Sequence, residues 1–217
     1  MSSPPAGSLR AVIADDHPFY RRGLARSLRA SGIDVVAEAP NGGAAIRAVE
    51  ETAPDVVVMD LNMPGMSGLE ATTRLAERGS GTRVLVLSVS AEEADVADAI
   101  MAGASGYVLK DCPVEEVVAA IHAVASGRWH ISPAIALGLL RRIYTAAGAA
   151  LDLDGVTLSA QELEVLDLVA RGKDIHEIAD ARGVGLGSVR AHAASILMGV
   201  LRDGRMQAAL RASPKQM

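Results

Sequence analysis

The 217 residues suit one large domain or two small ones, and half of them are hydrophobic, enough for a packed core. A single cysteine, Cys112, excludes an internal disulfide framework and a cysteine-built metal site. The net charge of −5 is uneven: residues 1–130 hold 11 basic and 17 acidic side chains, whereas residues 182–217 hold 6 basic and 1 acidic, so the two ends suit different partners. No apolar run reaches membrane-spanning length and the N-terminus lacks a signal-peptide pattern, so no membrane contact and a reducing, cytoplasmic setting are expected.

Residues 1–8 are rich in Ser, Pro and Gly and read as a disordered tail. Leu9 to Ala14 is a short apolar run, read as a strand, that stops at Asp15-Asp16-His17-Pro18. Pro18 can open a helix, in which Phe19, Leu24 and Leu28 recur at helical spacing until Gly32. Ile33 to Ala37 reads as a second strand, Asn41-Gly42 as a turn, and Ala44 to Glu51 as a short helix. The apolar run from Asp55 to Asp60 reads as a strand buried on both faces, and Pro64-Gly65 then breaks the chain into a loop. A helix is expected from Ser67 to Arg78, a strand over Arg83–Ser88, a helix over Ala91–Ala102, a strand over Gly106–Lys110, and a helix over Pro113–Ser126. Five strand–helix units in about 120 residues argue for a flavodoxin-like, doubly wound five-stranded parallel sheet.

The rest of the chain changes character. Ile135, Leu139, Leu140 and Ile143 mark an amphipathic connecting helix, followed by an Ala/Gly- and Asp-rich linker. From Leu158 onward only helices are expected. Ser159 with Glu162 is a capping-box signature, and Leu163, Leu166, Val169 and Ala170 make one face until Gly172. Ile175, Ile178 and Ala179 mark a second helix, and Gly183 to Gly187 a turn. Val189, Ala193, Ile196 and Leu197 mark a third helix, and Met206, Ala209 and Leu210 a fourth. Short helices joined by a glycine turn form a helix-turn-helix module.

The strand ends carry the chemistry. Asp15, Asp16, Asp60, Ser88 and Lys110 all stand where parallel strands finish, the edge at which open α/β sheets bind ligands. Taken alone, Asp60 reads equally as a helix cap or as a reactive carboxylate. Three carboxylates in one pocket repel each other unless a cation joins them, and oxygen donors favour Mg²⁺ before Ca²⁺. Asp60 would then be a nucleophile that accepts a phosphoryl group, with Lys110 and the ion neutralising charge and Ser88 donating a hydroxyl hydrogen bond.

These residues, in Ala14-Asp15-Asp16-His17-Pro18, Met59-Asp60-Leu61-Asn62-Met63-Pro64-Gly65-Met66-Ser67-Gly68, Leu87-Ser88 and Gly106-Tyr107-Val108-Leu109-Lys110-Asp111, resemble the receiver domain of two-component response regulators over residues 9–127. The resemblance implies phosphotransfer from a cognate histidine kinase to Asp60. It implies Mg²⁺ on Asp16, Asp60 and the Asn62 backbone carbonyl, with Asp15 acting mainly through water. It also implies a switch through Ser88 and Tyr107. Val89 departs from the smaller residue usual beside the pocket entry.

Residues 157–217 resemble, over about 157–211, the LuxR-type helix-turn-helix of the NarL/FixJ class. The resemblance rests on Leu158 to Leu166, Ala170-Arg171-Gly172-Lys173, Glu177-Ile178-Ala179 and Ser188-Val189-Arg190-Ala191-His192. It implies binding to double-stranded DNA, with Lys173, Arg182, Ser188, Arg190, His192 and Arg205 as candidate contacts. Residues 128–156 would connect the two modules. The departures fall in this second module. Ile175-His176 replaces an Asn-Lys pair, Arg182 stands for a leucine, Gly185 takes the helix-cap position, Gly187 lies in the next helix's first turn, and Gly199 replaces a lysine. The reading is a response regulator, not a turnover enzyme, that dimerises on phosphorylation and regulates transcription. The alternative is a regulator that acts through protein contacts and whose helix-turn-helix binds DNA weakly or not at all.

Overall fold

The computed structural model describes residues 8–147 and 158–202. The expected N-terminal tail, the Asp-rich linker stretch and the helix with Met206, Ala209 and Leu210 fall outside them. The chain divides into two compact units, Met1–Ser90 with Asp98–His130 and Ala91–Ala97 with Ile131–Met217.

Over residues 10–125 strands and helices alternate. They run β1 (Arg10–Ala14), α1 (Pro18–Ala30), β2 (Asp34–Ala39), α2 (Gly42–Thr52), β3 (Val56–Met59), α3 (Gly68–Glu77), β4 (Arg83–Ser88), α4 (Glu93–Met101), β5 (Gly106–Leu109) and α5 (Val114–Ala125). The strand order is β2-β1-β3-β4-β5, and the four pairings among these strands are parallel. A sixth strand of two residues, β6 (His130–Ile131), extends the edge next to β5. It is too short to leave a period in the sequence.

Strand residues point alternately to the two faces. Ala11, Ile13, Val56, Val58, Leu85, Leu87 and Val108 pack with Leu24, Ala25 and Leu28 of α1 and Val117, Ile121 and Val124 of α5. Val12, Val57, Val84 and Val86 are equally buried on the alternate positions, and α2 packs on β1, β2 and α3. Both sheet faces are therefore covered, which is why the strands read as unbroken apolar runs. Within α1 the buried stripe is Leu24, Ala25 and Leu28, whereas Phe19 is 89% exposed. Helical spacing alone had included Phe19 in that stripe.

Local chemistry fixes the helix starts. Asn41, expected in a turn, caps α2 by accepting from the Ala44 N–H, and Ser67 caps α3 by accepting from Glu70. Gly42 begins α2 against the loop after β3. A Cβ there would stand 2.8 Å from the Met66 carbonyl oxygen and 2.9 Å from that of Ser67.

His130 sits half-buried at the sheet edge with a buried Nε2 that has no hydrogen-bond partner among the described residues. Burial pushes its imidazole below the ordinary 6.5, and the charge of Glu116 only partly opposes this. The unfolded chain then takes up a proton first as pH falls, so this residue withdraws stability below about pH 6.5 and is neutral to it above. Denaturant midpoints at about pH 7.5 and 5.5 are expected to fall further apart in the wild type than in His130→Gln. Equal separations would show that this imidazole titrates normally.

The second unit holds helices. α6 (Pro133–Ala147) buries Ile135, Ala136, Leu137, Leu139 and Leu140 and packs chiefly on α9 (Leu186–Arg202), with α7 (Ala160–Ala170) beside it. The Ser159–Glu162 capping box opens α7 as expected. A second box, Asp174 with Glu177, opens α8 (Ile175–Arg182). Val165, Leu166 and Val169 form the buried face of α7, whereas Leu163 is 52% exposed. Gly183 ends α8 at φ 63°, a left-handed conformation that glycine adopts without strain.

Candidate functional site

Register brings the reactive residues of the first unit together. Ala14 pairs with Met59 and Met59 with Val86, so Asp15 and Asp60 leave adjacent strands at one level. Ser88 pairs with Leu109, which sets Lys110 at the next position. The backbone continues this order past the strands, with Asp60 N–H donating to the Ala14 carbonyl and Lys110 N–H to that of Ser88, each at 2.8 Å.

Lys110 clamps the two buried carboxylates. Its Nζ lies 2.7 Å from Asp15 Oδ2 and 2.8 Å from Asp60 Oδ2, and the two acids are 2% and 4% exposed. Burial alone would lower the lysine pKa; its hydrogen bonds to Asp15 and Asp60 outweigh this and hold the ammonium above its ordinary range. Burial raises the Asp60 pKa, and the hydrogen bond and charge of Lys110 offset only part of that rise. Charge on Asp60 is therefore unfavourable by itself, and the carboxylate depends on its cation. Asp60 Oδ1 accepts weakly from Asn62 N–H at 3.4 Å.

Asp15, Asp16, His17 and Asp60 each place a ligand atom within 4.8 Å of all the others. Asp16 Oδ1 is buried and accepts no hydrogen bond among the described residues, although His17 Nδ1 stands 2.6 Å from it. A carboxylate oxygen shielded from solvent and facing two further carboxylates and an imidazole nitrogen fits a bound divalent ion.

Ser88 is fully buried, and its Oγ accepts from the Ser90 N–H at 3.1 Å, which leaves its own hydrogen free to be donated. Tyr107 is also fully buried, with its hydroxyl donating to the Ser90 carbonyl at 2.8 Å. Both switch candidates thus act on one backbone residue. Val89 between them is 75% exposed.

Two neighbours escaped the sequence reading. The Tyr20 ring centroid lies 5.0 Å from Lys110 Nζ, a cation–π contact. Burial, then the charge of Asp15, pushes its phenol up to about 12, so it stays neutral. Arg21 donates through Nη1 to the Asp15 carbonyl at 2.5 Å and pairs with Glu38 at 3.5 Å. The signal was their place in the first turn of a helix that starts beside Asp15.

In the second unit, α8, the glycine turn and α9 form the helix-turn-helix. The Gly185 carbonyl accepts from Ser188 N–H at 3.0 Å and from Val189 N–H at 3.4 Å, so the cap position is filled by backbone with no side chain. Arg190 is exposed and makes no ion pair among the described residues, while Ser188 is half-buried. The other candidates bond within the unit. Lys173 Nζ pairs with Glu177 at 2.7 Å, and Arg182, whose side chain is 9% exposed, pairs through Nε with Glu164 at 3.2 Å. Arg182 Nη1 also lies 3.4 Å from His192 Nδ1, and His192 Nε2 lies 3.1 Å from Gln161 Oε1. Arginine can only donate, so Nδ1 accepts and the Nε2 hydrogen goes to Gln161. Arg182 thus ties α8 to α7 and α9 from the place where a leucine is usual. Arg205 lies outside the described residues.

Comparison with known proteins accords with this geometry. Residues 11–122 match the family described as response regulator receiver domain, and residues 156–212 the bacterial regulatory proteins of the luxR family. The chain is 37% identical over 193 residues to the probable transcriptional regulatory protein NarL of Mycobacterium tuberculosis, covering 88% of each chain. It is 36% identical over 200 residues to the nitrate/nitrite response regulator NarL of Escherichia coli, covering 92% of each. Among solved structures, a LuxR-family response regulator from Aurantimonas matches with TM-score 0.60 and 41% identity, over 63% of this chain and 98% of that one. The response regulator ChrA of a heme-sensing two-component system matches with TM-score 0.54 and 32% identity, over 92% of this chain and 99% of that one. Among the described residues no helix is long and apolar enough to cross a membrane. A receiver fold with an acidic pocket, followed by a LuxR-type helix-turn-helix, places this chain in the NarL family of DNA-binding transcriptional response regulators.

Proposed function

We propose that Asp60 accepts a phosphoryl group from a histidine kinase and that this modification controls dimerisation and DNA binding by the helix-turn-helix. The Lys110 bridge between Asp15 and Asp60 carries the reading, because it balances charge at a buried carboxylate that has one oxygen left for chemistry. An Asp60 oxygen attacks phosphorus as the nitrogen–phosphorus bond of the donor breaks, and the leaving imidazole keeps the electron pair and takes a proton. Lys110 moves onto the added negative charge and Ser88 donates its free hydroxyl hydrogen to a phosphoryl oxygen. Asp15, Asp16, Asp60 and the Asn62 carbonyl would hold Mg²⁺, which supplies further charge neutralisation on the transferring group. Re-aiming the Ser88 hydroxyl disturbs Ser90, to which Tyr107 is also bonded, and so links the pocket to the aromatic switch.

Val89 stands beside the Ser88 hydroxyl with a branched side chain in solvent. Val89→Ala is expected to take up phosphoryl groups from small donors such as acetyl phosphate faster, by roughly two- to tenfold. Stopped-flow rates equal for both proteins would remove the steric role.

DNA binding is tested by gel shift with and without phosphodonor. Three basic side chains of the module, Arg171, Lys173 and Arg182, are paired internally, which leaves Arg190 for phosphates among the described side chains of the helix-turn-helix. Phosphorylated protein is expected to bind selectively, with a plot of log affinity against log salt shallower than about −5, where six phosphate contacts or more would give a steeper slope. Absence of binding at low salt, with a stable complex with another protein, would favour action through protein contacts instead.

A further inference from the structure

We propose that His17 is a ligand of the divalent ion in the Asp60 pocket and that it tunes the site toward ions that take imidazole nitrogen, such as Co²⁺ or Zn²⁺, over Mg²⁺. The inference rests on the metal-site reading above and adds a donor to it. His17 Nδ1 stands 2.6 Å from Asp16 Oδ1 and 3.6 Å from Asp15 Oδ1, inside the cluster that also includes Asp60. Ligand atoms bound at about 2.1 Å to one ion sit roughly 3–4 Å apart, so small side-chain rotations bring these four onto a common centre. The imidazole pairs with the Asp16 carboxylate, itself a member of the same cluster, so an ion would replace that contact. It caps no helix N–H, and its side chain is 72% exposed. Its backbone is anchored separately, by the His17 N–H donating to Asp15 Oδ1 at 2.8 Å, so the side chain starts from a defined position above the carboxylates.

A hard, strongly hydrated Mg²⁺ gains little from nitrogen and keeps its oxygen shell. Affinity for nitrogen donors rises from Mn²⁺ through Co²⁺ toward Cu²⁺, so an added imidazole separates these ions from Mg²⁺. Three carboxylates alone would discriminate less. The same pocket would thus bind an abundant hard ion for phosphoryl chemistry and would hold a scarcer, softer ion more tightly. Such an ion, fixed on His17, leaves less freedom for the phosphoryl oxygens.

The test uses the untagged full chain, His17→Ala and Asp16→Asn. Calorimetric titration gives Mg²⁺ and Co²⁺ dissociation constants, and proton NMR of the Co²⁺ form looks for a far-shifted imidazole N–H. Wild type is expected to bind Co²⁺ on the order of tenfold or more tighter than Mg²⁺ and to show the shifted resonance. His17→Ala is expected to lose both the preference and the resonance, with Mg²⁺ affinity changing less than Co²⁺ affinity because Mg²⁺ keeps its oxygen donors. A Co²⁺ affinity unchanged in His17→Ala, or a resonance that persists, overturns the proposal. Asp16→Asn is expected to weaken both ions. If it weakens neither, the metal reading of the pocket fails together with this proposal. Far-UV circular dichroism of the variants keeps misfolding apart from lost ligation.

Discussion

Asp60→Asn is expected to leave a folded chain that takes up no phosphoryl group from any donor and no longer changes oligomeric state or DNA affinity when donor is added. The amide is isosteric with the carboxylate, and its one oxygen can still accept from Lys110, the shorter of the two bonds the carboxylate makes, while the weak bond from the Asn62 N–H is lost. What it lacks is the nucleophile, and loss of the covalent step removes at least roughly 10³-fold of rate. Stability is expected to hold or rise near neutral pH, because burial already makes the Asp60 charge unfavourable. Intact-protein mass spectrometry after exposure to acetyl phosphate reads the covalent step. Gel filtration and gel shift of both proteins, with and without donor, read its consequence. A phosphoryl adduct on the variant would move the acceptor elsewhere, and identical behaviour in all four states would end the phospho-switch reading.

The second large effect comes from a residue with no chemistry of its own. Gly68, the first residue of α3, packs so closely under the acceptor loop that a Cβ would fall on the Asp60 carbonyl group and 3.0 Å from Leu61 Cα. Its N–H donates to the Leu61 carbonyl at 2.9 Å, which closes the loop on itself. Backbone cannot yield as a flexible side chain would, so Gly68→Ala forces α3 or the loop to move. The expected loss is about 3 kcal/mol or more, with phosphorylation slowed because Asp60 is displaced from Lys110. Gly23→Ala is the matched control. It lies in α1 with nothing within 4 Å of an added Cβ, and it is expected to gain about 0.5–1 kcal/mol. Urea denaturation of both variants separates the two. Equal midpoints would show that the Gly68 contact relaxes without strain.

The first unit was legible because its chemistry and its fold share one rule. Parallel strands buried on both faces are apolar runs, and the residue that interrupts each run is the one delivered to the sheet edge. Asp15, Asp60 and Lys110 could therefore be placed together before any distance was known. Periodicity was a poorer guide to helix faces. Phe19 and Leu163 fit an apolar stripe by spacing yet face solvent, because a short helix offers two stripes and only packing chooses between them. Arg182 was beyond reach for another reason. Its partners Glu164 and His192 lie on different helices, and nothing in their spacing couples them. A basic residue in a helix-turn-helix was read as reaching outward to phosphate, whereas burial and an acid across the module turn it inward.

The packing of α6 on α9 also says where the chain can be cut. A fragment beginning near residue 158 would carry α7, α8 and α9 but leave bare the face of α9 that α6 covers, together with its own apolar complement of Ile135, Leu139 and Leu140 lost. That fragment would be sticky, prone to self-associate and misleading as a stand-in for the output half. One beginning near residue 131 would keep the cover in place. The piece expected to fold behind a different input domain is therefore the helix-turn-helix together with α6.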